Sequence, residues 1–182
     1  LSFNGNKVIT TGEGGAILTN NNKLAKLARH LSTTAKLNHK WEFFHDQVGW
    51  NDRLPNLNAA LGVSQIEGLK NKLNLKRILH QKYTEIFKDI DELEIIKETK
   101  NSKSNYWLTT LRILGDKPKY LRDQILENAY TSRIFLRPSW KLLSELPMYS
   151  NSQTADLKEA INQSERLINL PSSPQLVSSI NV

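Results

Sequence analysis

Apolar positions recur along this chain with two periods, and each period predicts its own kind of element. Leu24, Leu27, Ala28 and Leu31 fall at the i, i+3, i+4, i+7 spacing of one buried helical stripe. Pro55 suits a first helical turn. From there to about Lys88 a helical pattern carries Leu61, Ile66, Leu69, Leu73, Leu79, Tyr83, Ile86 and Phe87. Gly62 and Gly68 interrupt it, each lowering helix propensity by about 1 kcal/mol relative to Ala, so they mark close packing or a bend. Pro118 opens a further helix through Leu121, Ile125, Leu126 and Ala129. Asp156 with Glu159 reads as a capping box for a last helix carrying Ile161, Leu167 and Ile168.

The strand signals lie between these. Val8-Ile9-Thr10-Thr11 and Ala16-Ile17-Leu18-Thr19 flank Gly12-Glu13-Gly14-Gly15, which predicts a hairpin. Leu93-Glu94-Ile95-Ile96 predicts a strand. Tyr106 to Leu114 alternates, with Trp107, Thr109, Leu111 and Ile113 on one side. Ile134-Phe135-Leu136 predicts a short strand ended by Arg137-Pro138. Residues 32–54 show no period, and so long an irregular connection is often functional. Strand, strand, helix, strand, helix from residue 89 onward predicts a small α+β unit. No internal repeat is visible.

Composition narrows the classes. The 182 residues hold 25 Lys plus Arg against 18 Asp plus Glu, a formal charge of +7. No cysteine is present, which excludes a disulfide framework, a thiolate zinc site and a Cys nucleophile. No apolar run approaches the roughly 18 to 20 residues that span a bilayer. Residues 1–20 include Lys7 and Glu13 and lack the apolar core of a secretory signal. The chain starts at Leu1 and its single methionine is Met148, so a processed chain or a piece of a longer one is expected.

The positive balance raises a nucleic-acid surface as a reading of a different class. Its densest stretch holds Lys70, Lys72, Lys76, Arg77 and Lys82, alternating with Leu69, Leu73 and Leu79. That is the pattern of a solvated helix face around an apolar stripe. Trp41, Phe43 and Phe44 lie near Lys36, Lys40 and His45, yet no nucleic-acid motif accompanies them. His30 reads as a helix C-terminal contact and His80 as structural. His39 and His45 lie in the long polar loop, with a place at a site or on the surface equally open. Asp46 and Asp52 read as loop capping or salt bridging, and no metal-ligand pattern surrounds them. Trp107 and Trp140 read as core.

One segment carries chemistry. Ser2-Phe3-Asn4-Gly5-Asn6-Lys7 places a lysine at the end of a polar, Gly-containing loop, just before the glycine turn. A lysine amine becomes a nucleophile toward carbonyls where its surroundings lower its pKa. Neighbouring glycines let the backbone approach a bulky group closely, and a serine five residues upstream offers a donor to phosphate. The residues alone equally allow a surface lysine beside a turn. The spacing matches neither a Walker loop nor a dinucleotide fingerprint.

The string SFNGNKVITTGEGGAILTN closely resembles the cofactor-lysine segment of the DegT/DnrJ/EryC1/StrS family of nucleotide-sugar aminotransferases. Three further segments resemble that family in the same order: VGWNDRLPNLNAALGVSQIEGL at 48–69, FLRPSWKLLSELPMY at 135–149 and RLINLPSS at 166–173. The resemblance implies an α/β fold, the C-terminal part of a pyridoxal-phosphate-dependent transferase. Residues 1–54 would be the remainder of the large cofactor domain, 55–88 a linking helix and 89–182 a small α+β domain. It implies that Lys7 binds pyridoxal 5'-phosphate covalently and moves a proton between cofactor and substrate. It implies that Ser2 contacts the cofactor phosphate and that Asn51 reaches the phosphate in a neighbouring subunit of a homodimer with shared sites. Arg53 is a candidate for substrate or interface, and Arg137 before Pro138 for a diphosphate or an interface. A related dehydratase branch carries histidine where this chain has Lys7, so amino transfer is favoured. Where many members place a histidine, this chain has Ser144, which leaves the sugar open.

The implied partners are a nucleotide 4-keto-6-deoxy sugar and an amino-acid donor, usually glutamate, with neither nucleic acid nor membrane. The implied setting is amino-sugar and surface-polysaccharide biosynthesis in the cytoplasm. A catalytically inactive fragment of such an enzyme is the alternative within the family, because the carboxylate and aromatic expected around the cofactor ring are not among these residues.

Overall fold

Helix α1, Asn22–Leu31, forms where the stripe predicts it, and its start is fixed by one side chain. Asn21 Oδ1 accepts from the backbone N–H of Lys23 at 3.0 Å and of Leu24 at 3.2 Å, two donors that a helix start otherwise leaves unbonded. The structure is a computed structural model describing residues 1–180. The chain forms two compact units, Leu1–Lys70 and the stretch from Asn71 onward.

In the first unit the hairpin expected over 7–19 does not form. Ser2 pairs instead with Gly15: Phe3 N–H donates to Gly14 at 2.9 Å and Ala16 N–H to Leu1 at 3.1 Å. Phe3 O takes the other half of the expected hairpin: it accepts from Thr11 N–H and from Thr10 Oγ1, each at 3.0 Å, while Thr10 Oγ1 accepts from Gly12 N–H at 2.9 Å. The stretch 32–54 is ordered by two isolated pairings, Thr33 with Asn51 and Lys36 with His45. Ala35 is fully buried at its base in the left-handed region, with φ +50°. A Cβ on Gly49 would fall 2.6 Å from Ala35 N, so glycine is required there.

The helical run predicted from Pro55 is two helices, α2 at Asn56–Glu67 and α3 at Leu69–Ile86, with Gly68 between them. Pro55 is the N-cap of α2 rather than its first residue.

The second unit holds a four-stranded antiparallel sheet ordered β1-β2-β4-β3. The strands are β1 Leu93–Ile95, β2 Thr109–Ile113, β3 Arg137–Pro138 and β4 Leu167–Leu170. In β2 the buried positions are Thr109, Leu111 and Ile113, as the alternation predicts. Helix α4, Pro118–Thr131, and the shorter α5, Lys158–Ser164, complete it. Ile95, Leu111, Ile113, Ile168 and Leu170 form the core, with Tyr83, Phe87, Leu121, Ile125 and Leu126 packed on it. Each such aliphatic side chain contributes about 1.5–3 kcal/mol on burial.

Three expectations change in this unit. The last helix ends at Ser164, and Leu167 and Ile168 belong to the inner strand β4. The short strand is Arg137–Pro138, not 134–136. Trp140 is exposed at 64%, stacked on Trp107 with centroids 6.1 Å apart, so it is not core. Among the described residues no helix is long and apolar enough to cross a membrane.

Candidate active site

The lysine loop is a closed turn. Lys7 N–H donates to Asn4 O at 3.0 Å, Gly5 N–H to Asn4 Oδ1 at 2.6 Å, and Asn4 N–H to Ser2 Oγ at 3.4 Å. Ser2 and Lys7 therefore stand on one short loop, Ser2 exposed and Lys7 half-buried.

The loop rests on the glycine turn and on α2. Gly12 and Gly14 have φ of +84° and +101°, where a side chain is strained. A Cβ on Gly15 would fall 2.5 Å from Leu1 O and break the pairing with Ser2. Thr11 is buried beneath the turn: its N–H donates to Phe3 O at 3.0 Å and its carbonyl accepts from Asn58 Nδ2 of α2 at 2.6 Å. A Cβ on Gly62 would lie 2.9 Å from Thr11 Cγ2, so Gly62 permits close approach. Thr11 and Asn58 are site-supporting residues that the sequence pattern does not single out. Gly62 alone gave a signal, as a glycine inside a helical run.

Asn51 and Arg53 lie at the glycine turn. With Gly14, Gly15 and Asn58 they line a cleft of about 420 Å³. The register that puts them there is set by Trp50 N–H on Leu31 O at 2.7 Å, Thr34 N–H on Trp50 O at 2.9 Å and Asp52 N–H on Ser32 O at 3.1 Å. His30 Nε2 and Asp46 Oδ1 lie 2.6 Å apart, so Asp46 ties the loop to α1 rather than pairing with Asp52. His45 Nδ1 lies 2.7 Å from Thr34 O. Beyond them Trp41, Phe43 and Phe44 are exposed, and Lys36 Nζ sits 3.8 Å over the Phe43 ring. Thus four of the five expected site residues, Ser2, Lys7, Asn51 and Arg53, belong to the first unit. Arg137 belongs to the second, exposed on the edge strand β3 opposite Asn169. Ser144 lies half-buried in the 3-10 turn Leu143–Glu145. Among the described residues no group of three or more His, Cys, Asp or Glu is placed to hold a metal ion.

The donor set suits an aldehyde that carries a phosphate. A primary amine and a hydroxyl share one loop, which is held by the glycine turn next to it.

Comparison with known proteins gives the family and the fold. The sequence model of the DegT/DnrJ/EryC1/StrS aminotransferase family matches residues 1–179. GDP-perosamine synthase of Escherichia coli O157:H7 is 33% identical over 97% of this chain and 46% of its own. Helicobacter pylori PseC, an aminotransferase involved in the biosynthesis of pseudoaminic acid, superposes with a TM-score of 0.86 at 26% identity. That match covers 95% of this chain and 48% of the other. The PLP-form of Spr1654 from Streptococcus pneumoniae shares the fold, with a TM-score of 0.80 at 19% identity over 98% of this chain and 49% of that one. The chain thus spans about half the length of the relatives it matches.

Proposed function

The chain belongs to the DegT/DnrJ/EryC1/StrS aminotransferase family, and from that premise we propose that it is the C-terminal half of a pyridoxal-phosphate-dependent sugar aminotransferase. The substrate is a 4-keto-6-deoxy sugar on a nucleoside diphosphate, the donor is glutamate, and the setting is cytoplasmic amino-sugar synthesis for surface polysaccharide. The observation that carries the reading is the loop holding Ser2 and Lys7 against the glycine turn, beside a cleft lined by Asn51 and Arg53. The relatives' names support the substrate class.

In this reading residues 1–54 complete the cofactor domain, 55–88 link and 89–182 form the small domain. Lys7 presents its amine to the cofactor carbonyl, and Ser2 donates its hydroxyl to the phosphate. Asn51 donates to the phosphate held by a second copy in a homodimer. Arg53 is a candidate for the substrate or the subunit interface, and Arg137, separately, for a diphosphate or an interface, as guanidinium groups suit such anions. When bound, pyridoxal phosphate supplies the electron sink for the charge left by proton removal. The Lys7 amine takes that proton and returns it. Because the chain spans about half of its relatives, the activity is proposed of the whole protein.

The test uses the full-length protein loaded with pyridoxal phosphate and reduced with borohydride. Peptide mass mapping is expected to find the cofactor on Lys7. Lys7→Ala is expected to lose the label and to lower turnover by about 10²–10⁴-fold, the scale of a positioned proton-transfer group. A label on another lysine, or unchanged turnover in Lys7→Ala, overturns the assignment.

A further inference from the structure

The loop between β1 and β2 is tied to one face of α3 by three basic side chains. Arg77 forks onto Glu98, with Nη1 to Oε1 at 3.2 Å and Nη2 to Oε2 at 3.1 Å, and its Nη2 also donates to Ser104 O at 2.6 Å. Ser104 N–H donates to Glu98 Oε2 at 2.6 Å. Lys76, buried, donates to Tyr106 O at 3.2 Å, Trp107 O at 3.1 Å and Ser172 O at 2.6 Å. His80, one turn along the helix, stacks on the Tyr106 ring with centroids 3.9 Å apart and planes 18° from parallel.

His80 is only 7% exposed, and its Nδ1 is buried with no hydrogen-bond partner. Tyr106, against it, holds φ +43°, a sparsely populated region for a bulky residue. The charged and titratable groups around His80 are Lys76, Arg77 and Tyr83 on α3, and Lys97, Glu98 and Tyr106 from the loop. Glu98 is the carboxylate among these, and Arg77 and Ser104 already engage it.

We propose that His80 is an acid-operated latch: neutral, it holds residues 98–107 against α3, and protonated, it lets them go. A neutral imidazole stacks on a phenol ring without a charge to solvate. An imidazolium there is a second buried cation beside Lys76, with the partly exposed Arg77 guanidinium also adjacent, and burying an unpaired charge is costly. Burial pushes the His80 pKa below its ordinary value, Glu98 opposes this, and Lys97 and Arg77 add to it. A base with a lowered folded pKa contributes fully above its ordinary value of 6.5. That contribution is lost as pH falls from there through the lowered value. Once the stack fails, nothing from His80 holds Tyr106 in its left-handed backbone. The loop also carries Trp107, stacked on Trp140, so release alters a tryptophan environment.

The test is amide hydrogen exchange on the full-length protein at about pH 7.5 and about pH 5, corrected for intrinsic rates, spanning the ordinary histidine range. Protection of 98–107 is expected to fall about tenfold or more at the acid pH while α4 stays protected. His80→Phe keeps a ring on Tyr106 and cannot titrate, and is expected to abolish the response. The imidazole titration of His80 by NMR is expected below 6.5. Unchanged protection in the wild type, a wild-type response in His80→Phe, or a His80 titration at or above the ordinary value each overturns the proposal. Should His80→Phe fail to fold, the wild-type titration decides.

Discussion

Two glycines that look alike in the sequence act for different physical reasons. Gly62 and Gly68 both interrupt the same helical run. At Gly62 a methyl group would meet Thr11 Cγ2 at 2.9 Å, and Thr11 is 3% exposed and anchored by Asn58. Either Thr11 or α2 must shift, and overpacking of this kind costs about 1–3 kcal/mol. At Gly68 the nearest atoms are carbonyls of its own helix at 3.9 and 4.0 Å, and its φ of −83° is ordinary for any residue. Gly68→Ala is therefore expected to stabilise by about 0.4–1 kcal/mol, through a less flexible unfolded chain. Denaturant midpoints of the two alanine variants should move in opposite directions. A fall in Gly68→Ala as large as in Gly62→Ala would refute the distinction.

At the level of elements, legibility followed how local the deciding interactions are. Helices α1 and α4 were readable from their apolar periods, α4 also from Pro118 at its start, while the Asn21 cap of α1 emerges only from the structure. Asn21→Ala should accordingly cost about 1 kcal/mol, with α1 losing protection first in hydrogen exchange. Strand β4 was misread because Leu167 and Ile168 continue a helical spacing from Ile161. What selects the strand is pairing with Thr109–Arg112, more than fifty residues away. The hairpin over 7–19 was misread because the backbone at Gly14–Ala16 pairs with Leu1–Phe3 instead of with Val8–Thr11. The candidate site divides the same way. Ser2 and Lys7 lie in one contiguous motif and could be read directly. Their support by Asn58 depends on a contact across 47 residues and could not.

Across the whole molecule the charge pattern also needs correction. Lys70, Lys72, Lys76, Arg77 and Lys82 read as one solvated face, yet Lys76 is 5% exposed. Its ammonium gathers carbonyls from residues 30, 31 and 96 positions away, which joins the β1–β2 loop to the segment after β4. Part of the +7 is thus internal scaffolding rather than a surface offered to a polyanion. Lys76→Met keeps most of the stem volume and removes the donor, leaving carbonyls of Tyr106, Trp107 and Ser172 without it. Stranded buried acceptors cost about 1–3 kcal/mol, more than the average bond contributes. Lys70→Met, on an exposed position, should stay within about 0.5 kcal/mol of the wild type. Thermal or denaturant unfolding of the two variants separates the cases. Equal effects would mean that the Lys76 ammonium holds nothing together and that the basic stripe is uniform after all.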